Sequence, residues 1–274
     1  MLNPPTLRTA EEIFSHPRIP LLVATGGPAV AKAAAKQPKR AIVAGPGNPP
    51  VVVDETADLD HAAASIIEGG AFDNNLLCIG EKEVFAVAGV FDGLMDAMAK
   101  HGGARLNAAQ TQALTKATLT WHKDHWVPQK EFVGADATKL AAAAGVQVPA
   151  GTQMLFGETP ADHPFVPTEQ MMPFMPMVRC RDFDQALSLA IENEHGFGHT
   201  AIIHSNHLEH ITRMGQAMNT TIFVVNGPCT AGLGVGGEGY PSFSIATPSG
   251  EGITNPTTFT RFRRLSMSGS LRIV

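Results

Sequence analysis

The chain has 274 residues, 44% of them hydrophobic and 16% charged, enough apolar material to bury one large core or two modest ones. Its formal net charge is −5, and its one dense basic run, Arg261 to Arg264, alternates with Phe262 as an edge strand would, so no nucleic-acid partner is expected. No stretch reaches the roughly 18 uninterrupted apolar residues of a membrane span, and no basic-then-apolar secretory pattern opens the chain, so the expected location is cytoplasmic, without a membrane partner.

The elements follow in order. Thr9 and Glu12 have capping-box spacing, which predicts a short helix to about His16. Ile19 to Ala24 is a continuous apolar run, as in a strand buried on both faces, and Thr25-Gly26-Gly27-Pro28 turns it into an Ala-rich helix. Arg40 to Ala44 and Val51 to Val53 repeat the buried-strand signature across a Gly/Pro-rich turn. Asp58 and Asp60 precede a helix that the Gly69-Gly70 pair is expected to end. Glu83 to Val90 reads as a strand, and helices are predicted over Phe91 to Lys100, Asn107 to Ala117 and Ala137 to Ala144. Strands near Met154, Met177, Ile202 and Phe223 then alternate with helices at Asp184 to Glu194 and Leu208 to Met218. This alternation implies an α/β fold with a mostly parallel sheet. The tail, Thr257 to Arg263 and Leu271 to Val274, reads as a terminal hairpin of two strands.

Three cysteines, Cys78, Cys180 and Cys229, are too scattered for a disulfide framework or a zinc knuckle. Cys78 follows the polar turn Asp73-Asn74-Asn75, outside any apolar periodic run, which favours an accessible thiol. Cys180 ends an apolar strand and Cys229 lies in a turn with no base beside it, so both read as structural. His195, His199, His204 and His207 lie close together, but no cysteine or carboxylate completes a zinc spacing, and no metal is expected.

Six segments together resemble the aldehyde dehydrogenase superfamily, and most of all its CoA-acylating members of ethanolamine and propanediol utilisation. They are Thr25-Gly26-Gly27, Ala44 to Asp60, Phe72 to Cys78, Thr168 to Pro173, Asn226-Gly227-Pro228 and Phe262 to Val274. The resemblance implies an aldehyde dehydrogenase-like fold of three layers, matching the C-terminal part of longer family members. The divisions it implies are a remnant of the dinucleotide-binding domain over 1–44, a catalytic domain over 45–255 and oligomerisation strands over 256–274.

By the same resemblance Cys78 is the nucleophile, adding to an aldehyde and passing through a thiohemiacetal to a thioester. Thr25, Gly26 and Gly27 would lie against the cofactor pyrophosphate, and Glu169 would hydrogen-bond the nicotinamide ribose of NAD, with NADP an alternative. A lone Glu is more commonly a solvated loop carboxylate, and a Gly-Gly pair only a turn signal. Asn226 would shape the pocket, although a turn-stabilising role explains it equally well. Ala44 stands where hydrolytic members carry a glutamate that activates water, so coenzyme A is the expected acyl acceptor. His163, close before Glu169, is a candidate to assist CoA deprotonation. The implied partners are a short-chain aldehyde, CoA and further copies of the chain in a homo-oligomer, with a bacterial microcompartment as a possible destination. The alternatives are a hydrolytic aldehyde dehydrogenase and a noncatalytic assembly module acting through the tail.

Overall fold

The structure is a computed structural model that describes residues 5–237 and 239–269. Its first helix, α1 (Leu7–Ser15), starts three residues earlier than the Thr9 spacing predicts, because Thr6 is the cap and exchanges hydrogen bonds with Thr9 in a capping box. The strand β1 (Leu21–Thr25) leads through Gly26 and Gly27 into α2 (Pro28–Ala35), with Pro28 at the first helical position as its fixed φ favours. β1 pairs in parallel with β2 (Arg40–Ala44), and Thr25 stands opposite Ala44. Burial on both faces is not observed for β1. Leu22 and Ala24 are buried, Ala24 packing with Ala31, Ala34 and Val43, whereas Val23 on the other face of β1 is 54% exposed.

The larger sheet starts at β3 (Pro50–Val53). After α3 (Leu59–Ala71) come β4 (Glu83–Val87), α4 (Ala88–Lys100), β5 (Gly103–Arg105) and α5 (Ala108–Thr118). An antiparallel hairpin follows, β6 (Leu119–His122) with β7 (His125–Pro128), and then α6 (Ala137–Ala143), β8 (Met154–Glu158), β9 (Phe174–Cys180), α7 (Phe183–Asn193), β10 (Thr200–His204), α8 (Leu208–Met218) and β11 (Ile222–Val225). Seven of these strands form one sheet in the order β11-β10-β3-β4-β9-β8-β5, and every pairing in it is parallel. Val51 and Val53 face a core shared with α3 and α4, while Val52 faces one shared with α7 and α8. Helices therefore cover both faces of a central parallel sheet, the three-layer α/β architecture that the strand-helix alternation predicts.

Three local expectations change. α3 does not stop at Gly69-Gly70 but runs to Ala71; a Cβ on Gly69 would lie 2.3 Å from the Glu81 carboxylate, and one on Gly70 would lie 2.5 Å from Met154. Close packing, not helix termination, requires those glycines. β4 ends at Val87, three residues early, since α4 begins there. The alternating segment from Thr257 is not a strand in this chain: a 3₁₀ turn spans Pro256–Phe259, capped by the Asn255 side chain, and no strand follows through 269. The predicted strand at 271–274 lies outside the described residues. β5 and the β6–β7 hairpin are short, half-exposed strands that no apolar run announces. Among the described residues no helix is long and apolar enough to cross a membrane.

Candidate active site

Cys78 is held by a loop whose backbone is unusual. Asp73, Asn74 and Asn75 take positive φ in succession, at 49°, 52° and 64°. Asp and Asn tolerate the left-handed region better than other residues with a Cβ, which explains this sequence, yet each still costs roughly 1 kcal/mol. Hydrogen bonds over-determine the loop. Asn74 Nδ2 donates to Gly134 O at 3.0 Å and Asp136 Oδ1 at 2.9 Å, and the buried Asn75 donates to Gly70 O and Glu81 O at 2.7 and 2.8 Å. Lys82, wholly buried, donates from Nζ to Asn75 O, Asn75 Oδ1 and Leu77 O.

Two further segments meet this loop. The Gly45 to Asn48 turn between β2 and β3 brings Gly47 so close that a Cβ there would lie 2.3 Å from Cys78 O. Gly47 N donates to Glu169 Oε1 at 3.2 Å. Asn48, buried beside it, donates from Nδ2 to Val166 O and Asn193 O. Gln170, next to Glu169, donates to Lys82 O and Phe174 O. The backbone of the predicted nucleophile and the carboxylate of the predicted ribose ligand therefore both lie against one glycine.

Charge and burial set the thiol's character. Cys78 is half-buried, whereas Cys180 and Cys229 are buried. Burial pushes the Cys78 thiol up, and the Glu169 carboxylate adds to that; the Lys82 charge and the amides of Cys78 and Ile79 pull it down. Burial drives Cys180 up to about 12, and burial beside Glu81 drives Cys229 well above the usual thiol range, so neither competes as a nucleophile. Glu169 is raised by burial and lowered by Lys82 and by the Gly47 amide.

A cavity of about 620 Å³ opens beside Glu169, with Pro28, Pro46, Trp121, Trp126 and His195 in its wall. Pro28 places the N-terminus of α2 at this cavity, and Gly26 N, just before it, donates to Ala44 O. A Cβ on Gly27 would meet nothing within 4 Å, so the bare backbone there borders open space. Of the predicted cofactor residues, Glu169 lines this cavity, whereas Thr25, Gly26 and Gly27 precede Pro28 and are not part of its wall. Ala44, 5% exposed at the end of β2, offers only a methyl group.

Other predicted residues fall elsewhere. His163 lies in a separate cavity of about 660 Å³; its Nδ1 accepts from Phe165 N and its Nε2 lies 3.3 Å from Thr115 Oγ1, so neither nitrogen is left free as a base. Asn226 exchanges two hydrogen bonds with the Ser205 backbone, tying the turn after β11 to the loop after β10. Of the clustered histidines, His199 and His204 are buried and pushed by burial down to about 4. Three groups at ligand distance do gather among the described residues, Asp54, Glu55 and His210, but Asp54 is already bonded by Ser205, Thr56 and His210.

Residues 2–244 match the description "Aldehyde dehydrogenase family". The chain belongs to the aldehyde dehydrogenase family. It is 48% identical over 273 residues to the acetaldehyde dehydrogenase (acetylating) EutE of Salmonella typhimurium, covering 98% of this chain and 58% of that protein. Among solved structures, the Rhodopseudomonas palustris propionaldehyde dehydrogenase with bound propionyl-CoA is 46% identical, with a TM-score of 0.90 over 94% of this chain and 56% of that one. A propionaldehyde dehydrogenase from the Clostridium phytofermentans fucose utilisation bacterial microcompartment is 43% identical, with a TM-score of 0.92 over 97% of this chain and 61% of that one. This aldehyde dehydrogenase chain spans less than two thirds of the length of the relatives it matches, and what it matches is an α/β aldehyde dehydrogenase-like fold.

Sequence reasoning missed Lys82, Asn48, Gln170 and His195. Glu81 and Lys82 stand just before the strand predicted from Glu83 with no local pattern to mark them, and only the folding of three segments onto one another buries them.

Proposed function

We propose that this chain is the catalytic part of a CoA-acylating aldehyde dehydrogenase that converts a short-chain aldehyde, CoA and NAD into acyl-CoA and NADH, in either direction. The observation that carries this reading is the meeting of half-buried Cys78 and of Glu169, which lines the cavity, at the same residue, Gly47, with only a methyl group at Ala44. The acetylating EutE and the propionyl-CoA-bound relative support CoA as acceptor and a two- or three-carbon aldehyde as substrate.

The Cys78 thiolate forms the bond to the aldehyde carbon, and the carbonyl electron pair moves onto oxygen. The Cys78 N–H donates to that oxygen, a contribution worth roughly 3 kcal/mol in comparable sites. A nicotinamide cofactor, when bound, supplies the acceptor for the hydride that then leaves this carbon. Thr25, Gly26 and Gly27 would hold its pyrophosphate at the start of α2, and Glu169 would hold its ribose. A thioester on Cys78 remains. With a methyl group at Ala44 no base activates water there, and the CoA thiolate attacks the thioester carbon while the Cys78 thiolate leaves. His195 donates from Nε2 to Pro167 O, which leaves Nδ1 as an acceptor to take the CoA thiol proton at the cavity wall.

The division between a 1–44 remnant and a 45–255 catalytic part is supported by the separate β1–β2 sheet and by the seven-stranded sheet that starts at Pro50, whereas 256–269 form no strand within this chain. Phe262 and Leu265 are exposed beyond the Asn255-capped turn, as a strand awaiting a partner copy would be, which supports a homo-oligomer. The microcompartment origin of the Clostridium phytofermentans relative supports a cytoplasmic microcompartment as its location.

Incubating the purified chain with propionyl-CoA tests the reading without any cofactor. A propionyl group on the Cys78 peptide, absent from Cys78→Ala, is the expected result. An adduct that survives Cys78→Ala would overturn the assignment.

A further inference from the structure

The buried lysine that sequence analysis passes over ties all three segments of the site together. Lys82 N donates to Pro49 O at 3.0 Å, beside Gly47 and Asn48, and Lys82 O accepts from Gln170 Nε2 at 3.0 Å, beside Glu169. Its three ammonium protons have three acceptors in the cysteine loop, at 2.8 Å (Asn75 O), 2.6 Å (Asn75 Oδ1) and 3.1 Å (Leu77 O). Leu77 O belongs to the peptide whose N–H is that of Cys78, so Lys82 fixes the plane of that peptide and polarises its N–H. No carboxylate oxygen lies within 4.0 Å of Lys82 Nζ among the ion pairs of the described residues.

We propose that Lys82 is a positioning residue for Cys78: its ammonium group locks the left-handed loop through Asn75 and Leu77 and brings to the half-buried thiol the positive charge that favours the thiolate. The inference rests on the reading of Cys78 as nucleophile. Burial lowers the affinity of Lys82 for its proton, and the charges of Glu169, Glu83 and the two thiols, Cys229 and Cys78, oppose that loss. The titratable groups around the pair are Glu169 from the loop before β9, Glu81 and Glu83 flanking Lys82, Cys229 from the turn after β11 and His199 from the start of β10. Burial raises Glu81 to about 7 and Glu83 well above the usual carboxylate range and lowers His199 to about 4, and Glu169 is the carboxylate whose charge raises the Cys78 thiol.

The experiment is iodoacetamide alkylation of Cys78 in the full chain, followed by peptide mass spectrometry from pH 6 to 10, for wild type and Lys82→Met. It requires no aldehyde, CoA or nicotinamide, so an inactive chain still reports on Lys82, whereas failure of the enzyme reading appears only as acylation that survives Cys78→Ala. A midpoint displaced to higher pH, with roughly tenfold slower alkylation near pH 7.5, is expected. An unchanged midpoint in a folded variant, even with a lower plateau, assigns Lys82 a purely structural role and overturns the proposal. Should Lys82→Met not fold, Asn75→Asp sets a carboxylate against the ammonium at constant size. The same upward displacement is then expected, and an unmoved midpoint refutes the proposal.

Discussion

A methyl group on Gly47 would lie 2.3 Å from the carbonyl oxygen of Cys78 and 3.2 Å from the His199 ring. The contact is with backbone, which cannot swing aside as a flexible side chain does, so one glycine sets how closely the β2–β3 turn approaches the cysteine loop. Gly47→Ala is expected to cost about 1–3 kcal/mol of stability, as overpacking does, and to slow Cys78 alkylation at every pH. Thermal unfolding and alkylation rates on the same sample check both parts.

Glu169 faces Cys78 with a charge that makes the thiolate costlier. Glu169→Gln keeps an acceptor for Gly47 N–H and removes that charge. The midpoint of Cys78 alkylation should therefore fall, opposite in sign to the effect of Lys82→Met, while NADH binding followed by fluorescence weakens. A midpoint that rises in Glu169→Gln would contradict this electrostatic arrangement.

Glu81 is wholly buried and raised by burial to about 7, opposed chiefly by hydrogen bonding from Cys229. The folded chain holds a proton that the unfolded chain releases above the ordinary carboxyl value of about 4.5. The resulting stability is complete below about pH 4.5 and is lost as pH rises through about 7, a change on the order of 3 kcal/mol. Glu81→Gln should remove this slope. Denaturant midpoints at pH 5 and pH 8 then differ less in the variant than in wild type.

His204 sits inside with neither ring nitrogen bonded, and burial, with the His61 charge, lowers it to about 4. Here the sign reverses: the unfolded chain takes up the proton first, so the contribution is present above about pH 6.5 and is lost as pH falls through about 4. His204→Leu is expected to flatten the acid limb of the stability profile and to raise the unfolding temperature at pH 5. An acid limb as steep as that of wild type would show that His204 is not what titrates.

His195 keeps its acceptor nitrogen at the cavity wall while Nε2 is committed to Pro167. His195→Ala should leave propionyl transfer from propionyl-CoA to Cys78 detectable but slow the return of that group to CoA at neutral pH. Raising the pH, which ionises the CoA thiol without help, should restore the rate. Single-turnover release from the acylated chain measures it.

Local chemistry in the sequence determined most of the elements. Val51 to Val53 and Ile202 had to be buried strands because their side chains are apolar on both faces, and the Asn107 and Asp58 caps start their helices as such side chains do. The motif residues Cys78, Glu169 and Thr25 to Gly27 could each be picked out of the sequence as candidates. What the chain could not announce was anything that depends on residues distant in sequence. Lys82 lies 88 positions from Gln170, and Gly47 lies 122 from Glu169, so neither the burial of that ammonium group nor the need for a bare Cα follows from any local pattern. For the same reason Gly69-Gly70 reads as a helix stop until the Glu81 carboxylate and the Met154 methyl are packed against it. Local propensity acts over a few residues, and it determined which segments became strands and helices; burial, charge pairing and close approach act through space, and only the tertiary structure decided which groups share the site and how each one holds its proton.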